Sequence, residues 1–334
     1  MGGKALKIYG IETERKSTKD FLRICSEIEP IVNSYGIKTH AVKCYHTKAT
    51  HGDLDLLLKM DHETYNKGLN IRNIIKDEFN PQAIHNNGGV YSFDYDNFQV
   101  DFIPVKEKNW EVSKTFFSYD PSGNLMGKTA KKFGLKYGFE GLIYPFRNFN
   151  GRVSRDIVIS RNQEKIFEFL GYDYSQYQKG FDTLHEIFNW CINSKYFNDE
   201  GFQFENLTHV DRKRNLKRST YNEFLEFVEQ NYIGTNYQFK RKSEYIEEID
   251  KFFPEANLVE TLTYLKQKDE ENKIISEKFN GKLIMERCDL RGKELGDAIA
   301  NFKKSIGDNE QWRDYVLKHS SKQILTDFLL FSLD

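Results

Sequence analysis

Two aspartates one residue apart, Asp53 and Asp55, stand in the segment His51-Gly52-Asp53-Leu54-Asp55-Leu56-Leu57-Leu58. In a strand, successive side chains alternate faces, so Leu54, Leu56 and Leu58 point one way and the two acids the other. Two steps of about 3.3 Å put the carboxylate roots roughly 7 Å apart. From there they can converge on a magnesium pair about 3.5–4 Å apart, with oxygen ligands at about 2.1 Å. Unpaired anions side by side on a core strand are costly unless a cation neutralises them. The plainer alternative is an exposed strand whose acids face water. A third acid, Asp101, interrupts the apolar run Phe98-Gln99-Val100-Asp101-Phe102-Ile103, a strand expected beside the first. An acid flanked by Val100 and Phe102 suggests a ligand or a capped edge. Asp94 and Asp96 compete for that place, but they precede Asn97 in an expected hairpin turn, where solvated acids are ordinary.

These residues carry a family resemblance. Gly52-Asp53-Leu54-Asp55-Leu56-Leu57 resembles the Gly-Asp-hydrophobic-Asp-hydrophobic motif of the DNA polymerase beta-like nucleotidyltransferase superfamily. Asp101 falls where that superfamily places its third catalytic carboxylate. The stretch from Asn124 through Lys131-Lys132-Phe133-Gly134-Leu135 to Gly141-Leu142 is similar to the helix-to-strand element after the palm, whose helix lines the incoming nucleotide. Phe279-Asn280-Gly281-Lys282 and the segment Asp289 to Ile299 resemble the tail of tRNA nucleotidyltransferases and bacterial poly(A) polymerases. The resemblance to the catalytic region covers residues 40–145.

The resemblance implies in-line displacement at an α-phosphorus by a hydroxyl, with two Mg²⁺ ions, replaceable by Mn²⁺. It implies that Asp53 and Asp55 ligate both ions and that Asp101 ligates the one nearest the attacking hydroxyl. Nucleotide contacts are expected from Gly52, Asn124 and Lys128. The superfamily usually has Gly-Ser about ten residues before its acid pair to hold the triphosphate. This chain has Val42-Lys43-Cys44-Tyr45-His46-Thr47-Lys48 there, so Thr47 and Lys48 are the natural substitutes, with His46 a further candidate.

The densest basic run is Arg212-Lys213-Arg214-Asn215-Leu216-Lys217-Arg218. Arg212, Lys213, Arg214, Lys217 and Arg218 could grip a nucleic-acid backbone, since such contacts come from Lys and Arg; a solvated helix face is the alternative. The expected partners are a nucleoside triphosphate and the 3′ end of an RNA, tRNA first. A template-dependent repair polymerase of family X type, a transferase acting on a small molecule or a protein, and a degenerate RNA binder are the competing readings.

The elements that must position these residues change character near residue 150. Before it, Ala41–Tyr45, Asp53–Lys59, Gly89–Tyr95 and Phe98–Val105 read as strands. Thr18–Val32, capped by Ser17 or Thr18, and Thr64–Phe79 read as helices. After it, the apolar spacing predicts helices over Gln163–Leu170, Phe181–Ile192, Tyr221–Tyr232, Ser243–Phe252 and Leu258–Phe279. The expected fold class is α+β: a small mixed-sheet catalytic palm over residues 1–150, then a mostly helical acceptor-binding domain over 151–334.

Composition allows this. The 334 residues include 39% hydrophobic and 15% aromatic positions, enough for real cores, which excludes general disorder. The net charge of -1 is not the basic balance of a general nucleic-acid binder, although a local basic face can serve a neutral protein. Cys25, Cys44, Cys191 and Cys288 lack Cys-x-x-Cys spacing, against both a zinc knuckle and a disulfide framework. No apolar stretch is long enough for a membrane span, and the first residues lack the run of a signal peptide. A reducing cytoplasm is the expected location.

Overall fold

The computed structural model describes residues 3–60 and 70–332. Two compact units divide the chain: Met1–Pro145 with Asp156–Ala256, and Phe146–Arg155 with Asn257–Asp334. The helical half beginning near residue 150 is thus shared between them. The fold class is α+β, with small sheets and a helical C-terminal region.

The first unit is built on a five-stranded mixed sheet. Its strands are β2 (Thr39–Ala41), β4 (Asp53–Met60), β7 (Phe98–Lys106), β6 (Val90–Tyr95) and β5 (Ile84–Asn87), in that order across the sheet. β4 and β7 run parallel, and the other neighbours are antiparallel. Two short strands, β1 (Lys16–Ser17) and β3 (Thr50–His51), pair separately just before β4. Helix α1 (Thr18–Ser34) begins where the Ser17 hydroxyl accepts the Asp20 amide, as its N-cap position predicts. Its Phe21, Ile24, Ile28 and Val32 recur at three and four residues and bury one stripe. Helix α2 (Ile71–Phe79) does the same with Ile71, Ile74, Ile75 and Phe79. The earlier part of the expected helix Thr64–Phe79 lies outside the described residues.

The two helices cover one face of the sheet. Leu54, Leu56 and Leu58 of β4 join Phe93, Val100 and Phe102 beneath them. The opposite face therefore receives Asp53 and Asp55 at the start of β4. Further along, Leu57, Ile103 and Val105 close that face with Trp110, at the start of α3 (Trp110–Phe117). Apolar cover thus stops where the acids begin.

One expected strand is displaced in the structure: β2 is Thr39–Ala41, so Ala41 alone of the expected range lies in it. Ala41–Tyr45 reads as extended, but β2 ends at Ala41. After the Val42 amide bonds the Asp55 carbonyl, the chain leaves the sheet to engage other loops. The Lys43 carbonyl accepts the Tyr119 amide, and the His46 and Thr47 amides donate to the Phe181 and Asp182 carbonyls. Local β propensity cannot foresee that competition, because the winning partners lie 76 or more residues away.

Downstream, α4 (Ser122–Lys132) leads into the sheet of β8 (Lys136–Gly138), β9 (Gly141–Arg147) and β10 (Val153–Ser160). Helices α5 (Gln163–Leu170), α6 (Tyr174–Lys179), α7 (Leu184–Ile192), α8 (His209–Asn215), α9 (Ser219–Asn231) and α10 (Ile246–Phe252) follow. Phe167, Tyr177, Phe181 and Trp190 pack ring against ring among them. The second unit holds α11 (Leu258–Lys278), α12 (Gly281–Met285), α13 (Gly292–Ile306), α14 (Asn309–Lys318) and α15 (Ser321–Phe331). Its core is Phe279, Phe302, Trp312, Val316, Ile324 and Phe328. No helix among the described residues is long and apolar enough to cross a membrane.

Leu56 is fully buried between β2 and β7, so Leu56→Ala should cost about 2–5 kcal/mol of stability. Urea denaturation measures this; a loss below about 1 kcal/mol would mean that the sheet is not the core drawn above.

Candidate active site

The parallel register sets Asp55 directly opposite Asp101 and Asp53 opposite Gln99. Because strand side chains alternate, all four project on the face that the two covering helices leave open. Asp53, Asp55 and Asp101 each offer an oxygen within 4.8 Å of the others. Ser92 of β6 stands beside Asp101 on its other flank. Both rival acids are engaged elsewhere. The Asp94 carboxylate accepts the Gln82 and Ala83 amides, and Asp96, at φ +52° in the β6–β7 turn, pairs with Arg23.

The electrostatics of the trio are those of anions without enough counter-charge. Among the described residues, none of the ion pairs reaches these three carboxylates. Burial raises the Asp55 carboxyl well above the ordinary carboxylate range, and its neighbours Asp53 and Asp101 push it further. Burial lifts Asp53 too, although the Gly3 amide and Lys48 act against the shift. Asp101 is pushed up to about 6 by burial, with the Ser92 and Gln99 side chains holding it down. Hard oxygen donors this close, sharing one desolvated corner, fit a divalent cation of the magnesium class.

A cavity of about 1020 Å³ opens on this corner, wholly within the first unit. Gly52, Asp53 and Asp55 form one side, while Asp101 is buried next to them and is not part of the wall. The facing side comes from α4, with Asn124, Lys128 and Lys131, and from α8 and its exit, with Asp211, Arg214 and Arg218. Lys128 is buried, 3.4 Å from Asp211 and over the ring of Tyr221; burial pulls its ammonium down to about 8 despite Asp211. Lys131 shares the same carboxylate. Arg218 lies 3.7 Å from Asp120, whereas Arg214 makes no ion pair among the described residues. Lys48 lines the acid side, its Nζ 3.5 Å from Cys44 Sγ.

The structure thus gathers most residues singled out by sequence and separates others. Asp53, Asp55, Gly52, Lys48, Asn124 and Lys128 share one cavity, with Asp101 beside it. Asn124 donates to the Asn215 carboxamide oxygen at 3.1 Å, which ties α4 to α8. Thr47 is not in the lining: its hydroxyl donates to the Asp182 carbonyl at 2.6 Å, and His46 meets the Asp182 carboxylate at 2.7 Å. The basic run divides. Arg214 and Arg218 face the cavity, Arg212 donates to the Phe204 and Glu205 carbonyls, and Lys213 and Lys217 are exposed outside the lining. The motif's His51 stacks on Phe21 at 4.0 Å and is buried, which lowers it to about 4 and keeps it neutral.

Sequence reasoning passed over Gln99, Arg15, Asp120, Lys131 and Asp211. Gln99 had a legible signal, since it lies two residues before Asp101 and therefore on the same face. Asp211, Arg214 and Arg218 recur at spacings of three and four, the period of a helix face. Arg15, whose guanidinium donates to the Thr50 carbonyl, and Asp120 carried none.

No family profile matches this sequence, and no curated protein matches it. Among solved structures, polymerase beta of Leishmania infantum, crystallised as a ternary P/T complex, is similar over 51% of this chain and 77% of its own. The identity is 13% and the TM-score 0.39.

The raised carboxyls have a sign that can be tested. A folded-state pKa above the unfolded value means that folding takes up protons, so this contribution to stability is present at low pH and lost as pH rises through the folded value. For Asp101 that loss runs from about 4 to about 6. In chelator at pH 7.5, Asp55→Asn should therefore melt at least about 2 °C above the unsubstituted protein, with the gap closing towards pH 4. A lower melting point for the variant at pH 7.5 would show that the trio is not electrostatically strained.

Proposed function

We propose that this protein is a metal-dependent nucleotidyltransferase, and that Asp53, Asp55 and Asp101 hold two divalent ions of the Mg²⁺ class. The observation that carries this reading is the trio itself: three carboxylates from adjoining strands, within 4.8 Å, without ion-pair partners among the described residues, two of them lining a cavity that Lys48, Lys128, Lys131, Arg214 and Arg218 also line. Bound there, the ions supply charge neutralisation of the phosphates and a lowered pKa for the attacking hydroxyl.

The chain's own residues do the rest. Lys48, Arg214 and Arg218 present cationic groups to the polyphosphate without first giving up a buried ion pair. Lys128 and Lys131 are held in place by Asp211, so their charges are positioned before a ligand arrives. The cavity leaves room for the sugar and base beside Asn124 and Gly127 of α4. The thiol in the lining, Cys44, lies 3.9 Å from His51 Nδ1 and 3.5 Å from Lys48 Nζ. Cys44, its thiol raised by burial, and neutral His51 are poorly suited to covalent catalysis. Direct displacement by an acceptor hydroxyl is the reaction left.

For the acceptor we propose the 3′-hydroxyl of an RNA, tRNA first, on the resemblance of residues 279–299 to that branch of the superfamily. Incubation with α-labelled nucleoside triphosphates, Mg²⁺ and tRNA, single-stranded RNA or gapped duplex DNA tests both parts. Labelled tRNA or RNA supports the full reading, and label entering only gapped DNA assigns the activity to template-dependent repair. Asp55→Asn should reduce incorporation at least about 100-fold; undiminished incorporation removes Asp55 from the mechanism.

A second measurement separates binding from chemistry. Arg214→Ala should raise the KM for the triphosphate by about tenfold while leaving the melting temperature within about 2 °C. An unchanged KM would remove Arg214 from the phosphate grip.

A further inference from the structure

Resting on the reading of the acid trio as cation ligands, the geometry points to Gln99 and Gly3 as positioning residues that aim two of its three carboxylates. Neither touches a reacting atom in this reading. Gln99 Nε2 donates to both oxygens of Asp101, each at 3.0 Å. Its Oε1 accepts the backbone amide of Ala5 at 2.9 Å. A carboxamide has one donor end and one acceptor end, so these two partners fix its orientation: turned over, it would set an oxygen against a carboxylate. Gln99 is nearly fully buried, at 3% exposure, so neither end has water as a substitute partner.

The amide two residues before Ala5 completes the device. The Gly3 N–H donates to Asp53 Oδ2 at 3.3 Å, and the Gly3 carbonyl accepts the Thr13 hydroxyl at 2.9 Å. Gly3 has φ +78°, and a Cβ there would come within 2.4 Å of the Gly52 carbonyl oxygen. Only glycine lets this backbone lie so close to the acid motif. The segment is anchored just beyond, where Leu6 is buried in the short 3₁₀ turn Ala5–Tyr9 and Tyr9 meets His85 edge to face. Alternate amides of one anchored segment therefore reach the trio, Gly3 directly to Asp53 and Ala5 through Gln99 to Asp101.

Such outer partners orient ligating groups and typically govern metal affinity by 10- to 100-fold. The strand register alone sets where the Asp53 and Asp101 roots stand; these amides set which way their oxygens turn. Without Gln99, Asp101 keeps the Ser92 side chain as its other restraint.

The test uses the full chain and Mn²⁺ alone, titrated with electron paramagnetic resonance detection, with Asp55→Asn as control. Gln99→Leu, close in shape but without hydrogen-bonding groups, should weaken Mn²⁺ binding at least about tenfold in protein that is folded by circular dichroism. Gln99→Met, a second apolar replacement of similar length, should weaken it by a similar factor, because it too lacks a donor for Asp101. Gly3→Ala should act in the same direction; if it fails to fold, the two Gln99 variants still decide. Equal Mn²⁺ affinity in wild-type protein and the Gln99 variants overturns this inference and leaves the metal reading intact. Absence of Mn²⁺ binding by wild-type protein overturns both.

Discussion

The repulsion among three desolvated carboxylates is the constraint around which the first unit is organised. At separations of up to 4.8 Å, two unit charges at an effective dielectric of about 20 repel by roughly 3 kcal/mol or more. A fold keeps such a corner only if something else secures the strands that carry it. Here the security is apolar. Leu54, Leu56 and Leu58 on β4, with Val100 and Phe102 on β7, are buried beneath α1 and α2 on the opposite face. The same strands thus bear both the anchorage and the strain, separated only by the alternation of side chains.

The chemistry follows from where that apolar cover ends. On the acid-bearing face, Leu57, Ile103, Val105 and Trp110 seal the far end of the strands, and the near end opens into the cavity. The cation-binding role proposed for this corner needs low water content for strong electrostatics and an opening for a ligand, and this boundary supplies both. Across the opening, Lys128 and Lys131 share Asp211, so the basic wall is itself part-neutralised and rigid. Arg214 and Arg218 add to it from α8 and its exit, and Lys48 adds a further cationic group on the acid side.

Both legible and illegible parts of this arrangement have specific causes. The helix capped by Ser17, the strands read as Asp53–Lys59 and Phe98–Val105, and the helix Gln163–Leu170 were readable because caps and apolar periods act within a few residues. The expected strand Ala41–Tyr45 did not form beyond Ala41, the last residue of β2, because Lys43, His46 and Thr47 find backbone partners at Tyr119, Phe181 and Asp182. Thr47 looked like a phosphate contact by its place before the acid motif, yet those same long-range bonds turn it to Asp182. The basic run at 212–218 read as one surface, whereas helix geometry sends Arg214 towards the cavity and Arg212 back onto carbonyls.

What the chain's order of residues determined by itself was the facing of Asp53 and Asp55 away from the leucines, and the oddity of Asp101 in an apolar run. Those follow from a two-residue period that no tertiary contact is needed to enforce. Tertiary structure alone decided that Asp101 comes level with Asp55, that Gln99 and the Gly3 and Ala5 amides turn the carboxylates, and that α4 and α8 supply the facing charge. These depend on parallel pairing across more than forty residues of intervening chain and on helices that follow Asp101 at about twenty residues (α4) and about a hundred (α8). Their register is set by burial on the far side of the sheet, which only the assembled core can impose.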